Sequence, residues 1–107
     1  MAYILKYTMA YNVTKIGDIV TEDGIRSVYV STCREVCSSR IDLAVKDGIV
    51  LTVQFLGGCQ GNTTGIASLV AGMPVEEAVR RLEGIDCHGK GTSCPDQLEK
   101  ALKLTME

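Results

Sequence analysis

The stretch "SRIDLAVKDGIVLTVQFLGG", residues 39–58, decides the fold of this chain. The apolar residues of its first half recur at every second position, as in a half-buried β-strand: Ile41, Leu43 and Val45. Asp47-Gly48 then marks a tight turn, and a second apolar run covers residues 49–56. Because an Asp-Gly pair between two such runs is a strong signal for a two-residue turn, we expect a β-hairpin.

The strand pattern extends to both sides of that turn. In the second run, alternation predicts one shared face for Ile49, Leu51, Val53 and Phe55. Upstream, "RSVYVSTC", residues 26–33, predicts another strand because valine, tyrosine and threonine favour strands. Residues 1–26 mix short apolar pieces with turn signals, which leaves two alternatives open: strands added to the sheet edge, or a poorly ordered arm.

Helix signals begin where the hairpin ends. The glycine-rich stretch "GGCQGNTTG", residues 57–65, holds three polar residues that can each cap a helix: Asn62, Thr63 and Thr64. The apolar spacing after them predicts a helix ending at Gly72, since glycine is common just past a helix C-terminus. Pro74 then favours the start of a second helix.

The second and third helices have clear apolar faces. In "VEEAVRRL" this face consists of Val75, Ala78, Val79 and Leu82. Ser93, followed three residues later by Asp96, matches a capping box and starts the last helix. Its expected inward residues are Leu98, Ala101, Leu102 and Met106. Strands followed by helices predict an α+β fold, with a small antiparallel sheet of three or more strands and about three helices on one face.

Composition excludes several function classes. The 107 residues carry 11 basic and 13 acidic side chains without a basic block, so nucleic acid is not an expected partner. No apolar run approaches the roughly 18 residues of a membrane span. The N-terminal segment has a lysine inside its apolar part and no small-residue cleavage site, so we predict no signal peptide and a cytoplasmic protein.

Cysteines are the candidate functional residues. The five cysteines are Cys33, Cys37, Cys59, Cys87 and Cys94. The last four fall outside the predicted helices and strands, although buried structural cysteines usually sit within such elements as small apolar residues. Because the Asp47-Gly48 turn closes one end of the hairpin, we expect Cys37 and Cys59 to lie close together at its open end. Helices packed on the sheet can return the loop of residues 87–94 to that end.

The spacing of these cysteines leaves three interpretations open. Four converging thiolates suit a closed zinc site or an iron–sulfur cluster, but there is no CxxC motif. Loop thiols without a ligand are the second interpretation. A redox pair of Cys87 and Cys94 is the third, with Cys94 as the attacking thiolate because it begins a helix. Cys33 is expected to fill the core or sheet edge, and His88 to be solvated.

At "GTSCPDQLEKAL", residues 91–102, the chain resembles the TSCPD domain, a family named for the residues here numbered Thr92 to Asp96. Further blocks carry the resemblance: "VCS" (36–38), "VQFLGGCQGNTTGIASLVAGM" (53–73) and "GIDC" (84–87). It predicts a TSCPD-like domain at residues 27–107, preceded by an N-terminal extension at residues 1–26.

The resemblance implies a metal-binding accessory domain. The family occurs fused to the C-terminal side of adenosylcobalamin-dependent ribonucleotide reductases and as a free-standing protein, so a reductase label would describe the fusion. Its implied metal ligands are Cys37, Cys59, Cys87 and Cys94, with zinc as the first choice and an iron–sulfur cluster as the second. We expect no catalytic residues and no turnover by this chain alone.

Several partners and alternatives follow from the same resemblance. The expected partner is a protein, either a reductase or a component of the iron–sulfur machinery. One alternative is a dithiol carrier that supplies electrons to a ribonucleotide reductase, and another is a metal-free interaction domain. A homodimer through the exposed sheet edge is also compatible with the predicted fold.

A second, fainter resemblance is to the U-type iron–sulfur cluster scaffold proteins. It rests on Cys37 before a hairpin, Cys59 before a helix containing "GIAS", the "VEEAV" helix, and Cys94 at the start of the last helix. Ser38-Ser39 stand where that family has an aspartate, and Ser93 stands where it has a histidine. This resemblance implies a similar α+β fold.

Overall fold

The structure is a computed structural model, and it describes residues 11–58, 60–87, 89 and 91–106. This part of the chain contains four strands and three helices: β1 (Thr14–Val20), β2 (Arg26–Ser31), β3 (Ser38–Lys46), β4 (Ile49–Gly57), α1 (Gln60–Val70), α2 (Val75–Leu82) and α3 (Cys94–Leu104). The strands form one antiparallel sheet in the order β1-β2-β3-β4. The predicted α+β arrangement is confirmed.

The β3–β4 hairpin turns at the predicted residues. Lys46 pairs with Ile49, and the two residues between them both have positive φ, 53° for Asp47 and 76° for Gly48. Two positive φ angles are typical of a type I′ turn, whose twist matches that of the strands. The predicted inward residues of β3 are buried: Ile41, Leu43 and Val45.

A β-bulge changes which residues of β4 face the core. Leu51 stands as an extra residue between the β4 partners of Ala44 and Val45. Because one extra residue reverses the alternation, Val50 is fully buried and Leu51 is 38% exposed. The prediction that Leu51 shares a face with Val53 and Phe55 is therefore wrong, because those two residues, beyond the bulge, pack against the core.

The N-terminal region contributes the edge strand of the sheet. β1 pairs with β2, and the ring of Tyr29 covers Gly17, where an added Cβ would meet Tyr29 Cδ2 at 2.8 Å. Asp18 of β1 forms an ion pair with Arg26 at 2.8 Å, which ties the edge strand to its neighbour. Residues 1–10 of the predicted extension lie outside the described residues.

The helices supply the rest of the core. α1 begins at Gln60, so the three predicted capping residues lie inside its first turns. The predicted inward face of α2 is buried. Leu98, Ala101 and Leu102 of α3 are fully buried as predicted, but Met106 is 54% exposed because α3 ends at Leu104. Within the described residues, no helix is long and apolar enough to cross a membrane.

Candidate functional site

A cavity of about 440 Å³, here called the thiol pocket, lies at the open end of the β3–β4 hairpin. Its lining includes Cys37, Cys87, Cys94, Ile66, Ile85 and Pro95. Three of the four predicted ligand cysteines therefore line one cavity. The fourth, Cys59, lies outside the described residues, and so does His88, which is expected to be solvated.

Cys37 is held by the short connection between β2 and β3. The hydroxyl of Thr32 donates to the carbonyl of Ser38 at 2.5 Å, and the Thr32 amide donates to the carbonyl of Ser39 at 3.1 Å. These bonds close the loop that contains Cys33 and Cys37. Cys37 is exposed at its end, where the thiol is open to a ligand or a reagent.

The chain leaving β4 packs against the same loop. Gly57 and Gly58 both have positive φ, 79° and 86°. A Cβ on Gly58 would lie 3.1 Å from the amide nitrogen of Ser38 and 3.4 Å from the carbonyl carbon of Cys37. Glycine therefore suits this close approach, and the positive φ of Gly58 also favours glycine. In the sequence, Cys59 is the residue that follows.

Asp86 organises the loop that carries Cys87. Its two carboxylate oxygens accept from the amides of Gly89 at 2.7 Å and Gly91 at 2.5 Å. The Cys87 amide donates to the carbonyl of Thr92 at 3.1 Å, which closes the loop. Sequence analysis missed Asp86, although an aspartate followed by glycines is a known turn signal.

Cys94 is the first residue of α3. The predicted cap is confirmed, because Ser93 Oγ accepts from the Asp96 amide at 3.1 Å. Cys94 Sγ lies 3.2 Å from Ser38 Oγ, and Ser38 is 3% exposed. A hydroxyl, rather than a carboxylate, therefore touches this sulfur and can either donate to it or accept from it.

A buried polar network lies behind the pocket. Asp96 Oδ1 accepts from the Gly84 amide at 2.9 Å, and Oδ2 accepts from Thr92 Oγ1 and Lys100 Nζ, both at 2.7 Å. Burial opposes ionisation of Asp96, but the hydrogen bonds from Lys100, Thr92 and Gly84 more than offset it and hold its pKa below the usual range. Asp96 is therefore a buried carboxylate with its acceptors occupied.

Gln97 extends this network to two distant segments. It is fully buried, and its Nε2 donates to the Tyr11 carbonyl at 2.5 Å and to Thr92 Oγ1 at 3.1 Å. Its Oε1 accepts from the Cys33 amide at 3.0 Å. Sequence analysis did not find Thr92 or Gln97 as functional residues. Two partners of Gln97, Tyr11 and Cys33, lie far away in the chain and leave no local pattern.

Cys33 differs from the other described cysteines. It follows β2 and lies outside the lining of the thiol pocket. Burial raises the pKa of its thiol, which favours the protonated form over the thiolate that binds metals. Its exclusion from the predicted ligand set is consistent with this position.

The donor chemistry of the pocket fits a soft metal ion, since thiolates select zinc and iron–sulfur clusters. Within residues 11–58, 60–87, 89 and 91–106, however, no group of three or more histidine, cysteine, aspartate or glutamate side chains is arranged to hold a metal ion. The three thiols that line the pocket share a cavity without forming a ligand set by themselves.

Comparison with known protein families gives one match. A family model for the TSCPD domain matches residues 9–106, nearly the whole chain. The chain belongs to the TSCPD domain family. The match begins before β1, so the domain of the family includes all four strands and all three helices described above. No curated protein and no solved structure matches the chain.

Proposed function

We propose that this TSCPD domain is a metal-binding accessory module without turnover of its own. Its ligands would be Cys37, Cys59, Cys87 and Cys94. The observation that carries the proposal is that three of these cysteines, Cys37 from the loop before β3 and Cys87 and Cys94 from the segment before and at the start of α3, line the thiol pocket. Two separate segments of the chain thus bring thiols to one cavity, which is the arrangement that a shared ligand requires.

Zinc is the first choice for this site, and an iron–sulfur cluster is the second. Four thiolates would enclose zinc in a closed site with no position for a substrate, which agrees with an accessory role. The same four sulfurs would also satisfy a cluster. In either case the bound metal would hold the surrounding loops in a fixed arrangement.

The proposed partner is a protein of ribonucleotide reduction or iron–sulfur metabolism. The thiol pocket offers such a partner an apolar rim, because Ile85 is 40% exposed and Pro95 and Ile66 line the same cavity. We place the protein in the cytoplasm as part of this proposal, because a reducing compartment keeps such thiols free to bind metal.

Metal content tests the proposal directly. Protein purified without oxygen should contain about one zinc ion, or one cluster's iron, per chain. Cys37→Ser and Cys94→Ser should lose most of it, whereas Cys33→Ser, the matched control outside the pocket, should retain it. Wild-type protein without zinc or iron, or equal metal in all three variants, would refute the proposal.

A dithiol carrier is the second candidate, because Cys87 and Cys94 line the same pocket. Here the Cys94 thiolate would attack a disulfide of the oxidised partner, and Cys87 would then release the reduced partner by forming the Cys87–Cys94 disulfide. Mild oxidation followed by mass spectrometry separates the two functions. A reversible loss of two hydrogens at this pair favours the carrier, whereas protection of the thiols by bound metal favours the metal site.

A further inference from the structure

We infer that Thr92, Asp96 and Gln97 are positioning residues that assemble the thiol pocket before any metal binds. These three residues are called the motif clamp below. Thr92 and Asp96 belong to the sequence that names the family. Their side chains do not line the thiol pocket but bond to the segments that carry its cysteines. The metal-affinity part of this inference rests on the proposed function, whereas the structural part does not.

The first half of the clamp fixes the segment that carries Cys87. Asp96 Oδ1 accepts from the Gly84 amide at 2.9 Å, at the start of that segment. The neighbouring cap residue Ser93 donates through Oγ to the Ile85 carbonyl at 2.6 Å. Ser93 and the first turn of α3 are thus bonded to the backbone of Gly84 and Ile85. These two residues precede Cys87 by three and two positions.

The second half fixes the segment that carries Cys33 and Cys37. Gln97 Oε1 accepts from the Cys33 amide at 3.0 Å, and Nε2 donates to the Tyr11 carbonyl at 2.5 Å. Cys33 and Cys37 lie in the loop that Thr32 closes through its bonds to the start of β3. Gln97 therefore ties this loop to α3, the helix that begins with Cys94.

Thr92 joins the two halves. Its hydroxyl donates to Asp96 Oδ2 at 2.7 Å and accepts from Gln97 Nε2 at 3.1 Å. Thr92 and Gln97 are fully buried, and Asp96 is 3% exposed. An unsatisfied buried polar group is costly, so the network is stable only when both loops are in place.

Among the described residues, the clamp's hydrogen bonds use oxygen and nitrogen atoms and no sulfur. This separates the domain from small zinc modules, in which metal binding and folding are one event. Here the loops are held by carboxylate, hydroxyl and amide groups. The clamp would let the pocket take up and release its ion while the fold stays intact.

Amide hydrogen exchange on the metal-free wild-type protein tests the structural part. The amides of Cys33, Gly84 and Cys87, which donate to Gln97, Asp96 and Thr92, should exchange slowly after chelator treatment under reducing conditions. Exchange of these amides at the rate of an unstructured chain would overturn the inference, even if the protein binds zinc.

Two isosteric variants test the role of the side chains. Thr92→Val and Gln97→Met should each weaken zinc binding about ten-fold or more and speed alkylation of Cys87 or Cys37 in the metal-free protein. Thr92→Ser, which keeps the hydroxyl, should restore both properties. Val79→Ala, a core change in α2, is the control for loss of stability alone and should leave both nearly unchanged.

The outcomes separate this inference from the proposed function. If wild-type protein binds no zinc, the proposed function fails, and the alkylation rates still decide whether the clamp positions the thiols. If zinc binds and both clamp variants match Val79→Ala in zinc affinity and in alkylation rate, the clamp residues only stabilise the fold as any core residue does. In that case the inference is wrong.

Discussion

Gly58 shows at the scale of one residue why the chain needs glycine beside the thiol pocket. Its positive φ disfavours a side chain, and an added Cβ would crowd the backbone of Cys37 and Ser38. Ser38 in turn places a hydroxyl beside Cys94 Sγ. Ser38 therefore contacts both the end of β4, through Gly58, and the start of α3, through Cys94.

Replacing Gly58 tests this contact. Gly58→Ala should lower the free energy of unfolding by about 1–2 kcal/mol, because alanine at positive φ is strained and its Cβ would crowd the Ser38 amide. Gly65→Ala in α1 is the matched control. An added Cβ there meets nothing within 4 Å, and alanine should stabilise the helix by about 0.5–1 kcal/mol. Urea unfolding of both variants measures the difference, and equal effects would contradict this explanation.

The capping box predicted for Ser93 and Asp96 is only half formed. The cap made by Ser93 was predictable, because it depends on residues three apart in sequence. The acid at Asp96 does not complete a reciprocal cap among the described contacts, since its oxygens accept from Gly84, Thr92 and Lys100. The bond to the Gly84 amide, 12 residues away, and the bonds of Gln97 to Tyr11 and Cys33 leave no local pattern, which is why the clamp could not be predicted from sequence.

At the scale of elements, the hairpin and the faces of α2 and α3 were predictable from periodicity and turn chemistry. The start of β4 was not. Ile49, Val50 and Leu51 are all apolar, so the sequence pattern is the same whichever of them faces inward. The pairing with β3 and the bulge at Leu51 decide that Val50 is the residue that faces the core. Topology also explains why Cys37 could be placed at the open end of the hairpin.

The turn of this hairpin gives a second prediction. Gly48→Ala should lower the free energy of unfolding by about 1 kcal/mol, because Gly48 has φ of 76° and alanine is strained there. An added Cβ at Gly48 meets nothing within 4 Å, so no clash contributes. Urea unfolding checks this value. Unchanged stability would show that the turn does not require glycine.

The edge strand β1 gives a pH prediction. Hydrogen bonds from Arg26 and Lys15 hold the pKa of Asp18 well below its usual range. Because the folded pKa is lowered, the stabilisation is complete above the unfolded value of about 4 and is lost as pH falls through the folded pKa. Asp18→Asn should therefore be less stable than wild type at pH 7, by about 1 kcal/mol or less, and the gap should close in strong acid.

Urea unfolding at pH 7, 4 and 2 would check the Asp18 prediction. A stability gap between Asp18→Asn and wild type that stays constant over this range would contradict the ion-pair explanation.

At the scale of the whole molecule, the sheet and helices form a core that contains no cysteine among its described buried residues. The thiols lie at one end of this core. Chelation of metal-loaded protein should therefore lower the melting temperature while the far-ultraviolet circular dichroism is retained. The loss should be about 3 kcal/mol when free zinc had been about 100-fold above its dissociation constant. Global unfolding on chelation would contradict a preassembled pocket.

Anomalous scattering from crystals of the native protein, grown without oxygen or added chelator, tests the central claim most directly. We expect a strong peak at the zinc or iron absorption edge inside the thiol pocket, bonded to the sulfurs of Cys37, Cys59, Cys87 and Cys94. A well-ordered pocket with four free thiols and no peak at either edge would contradict the metal-binding function.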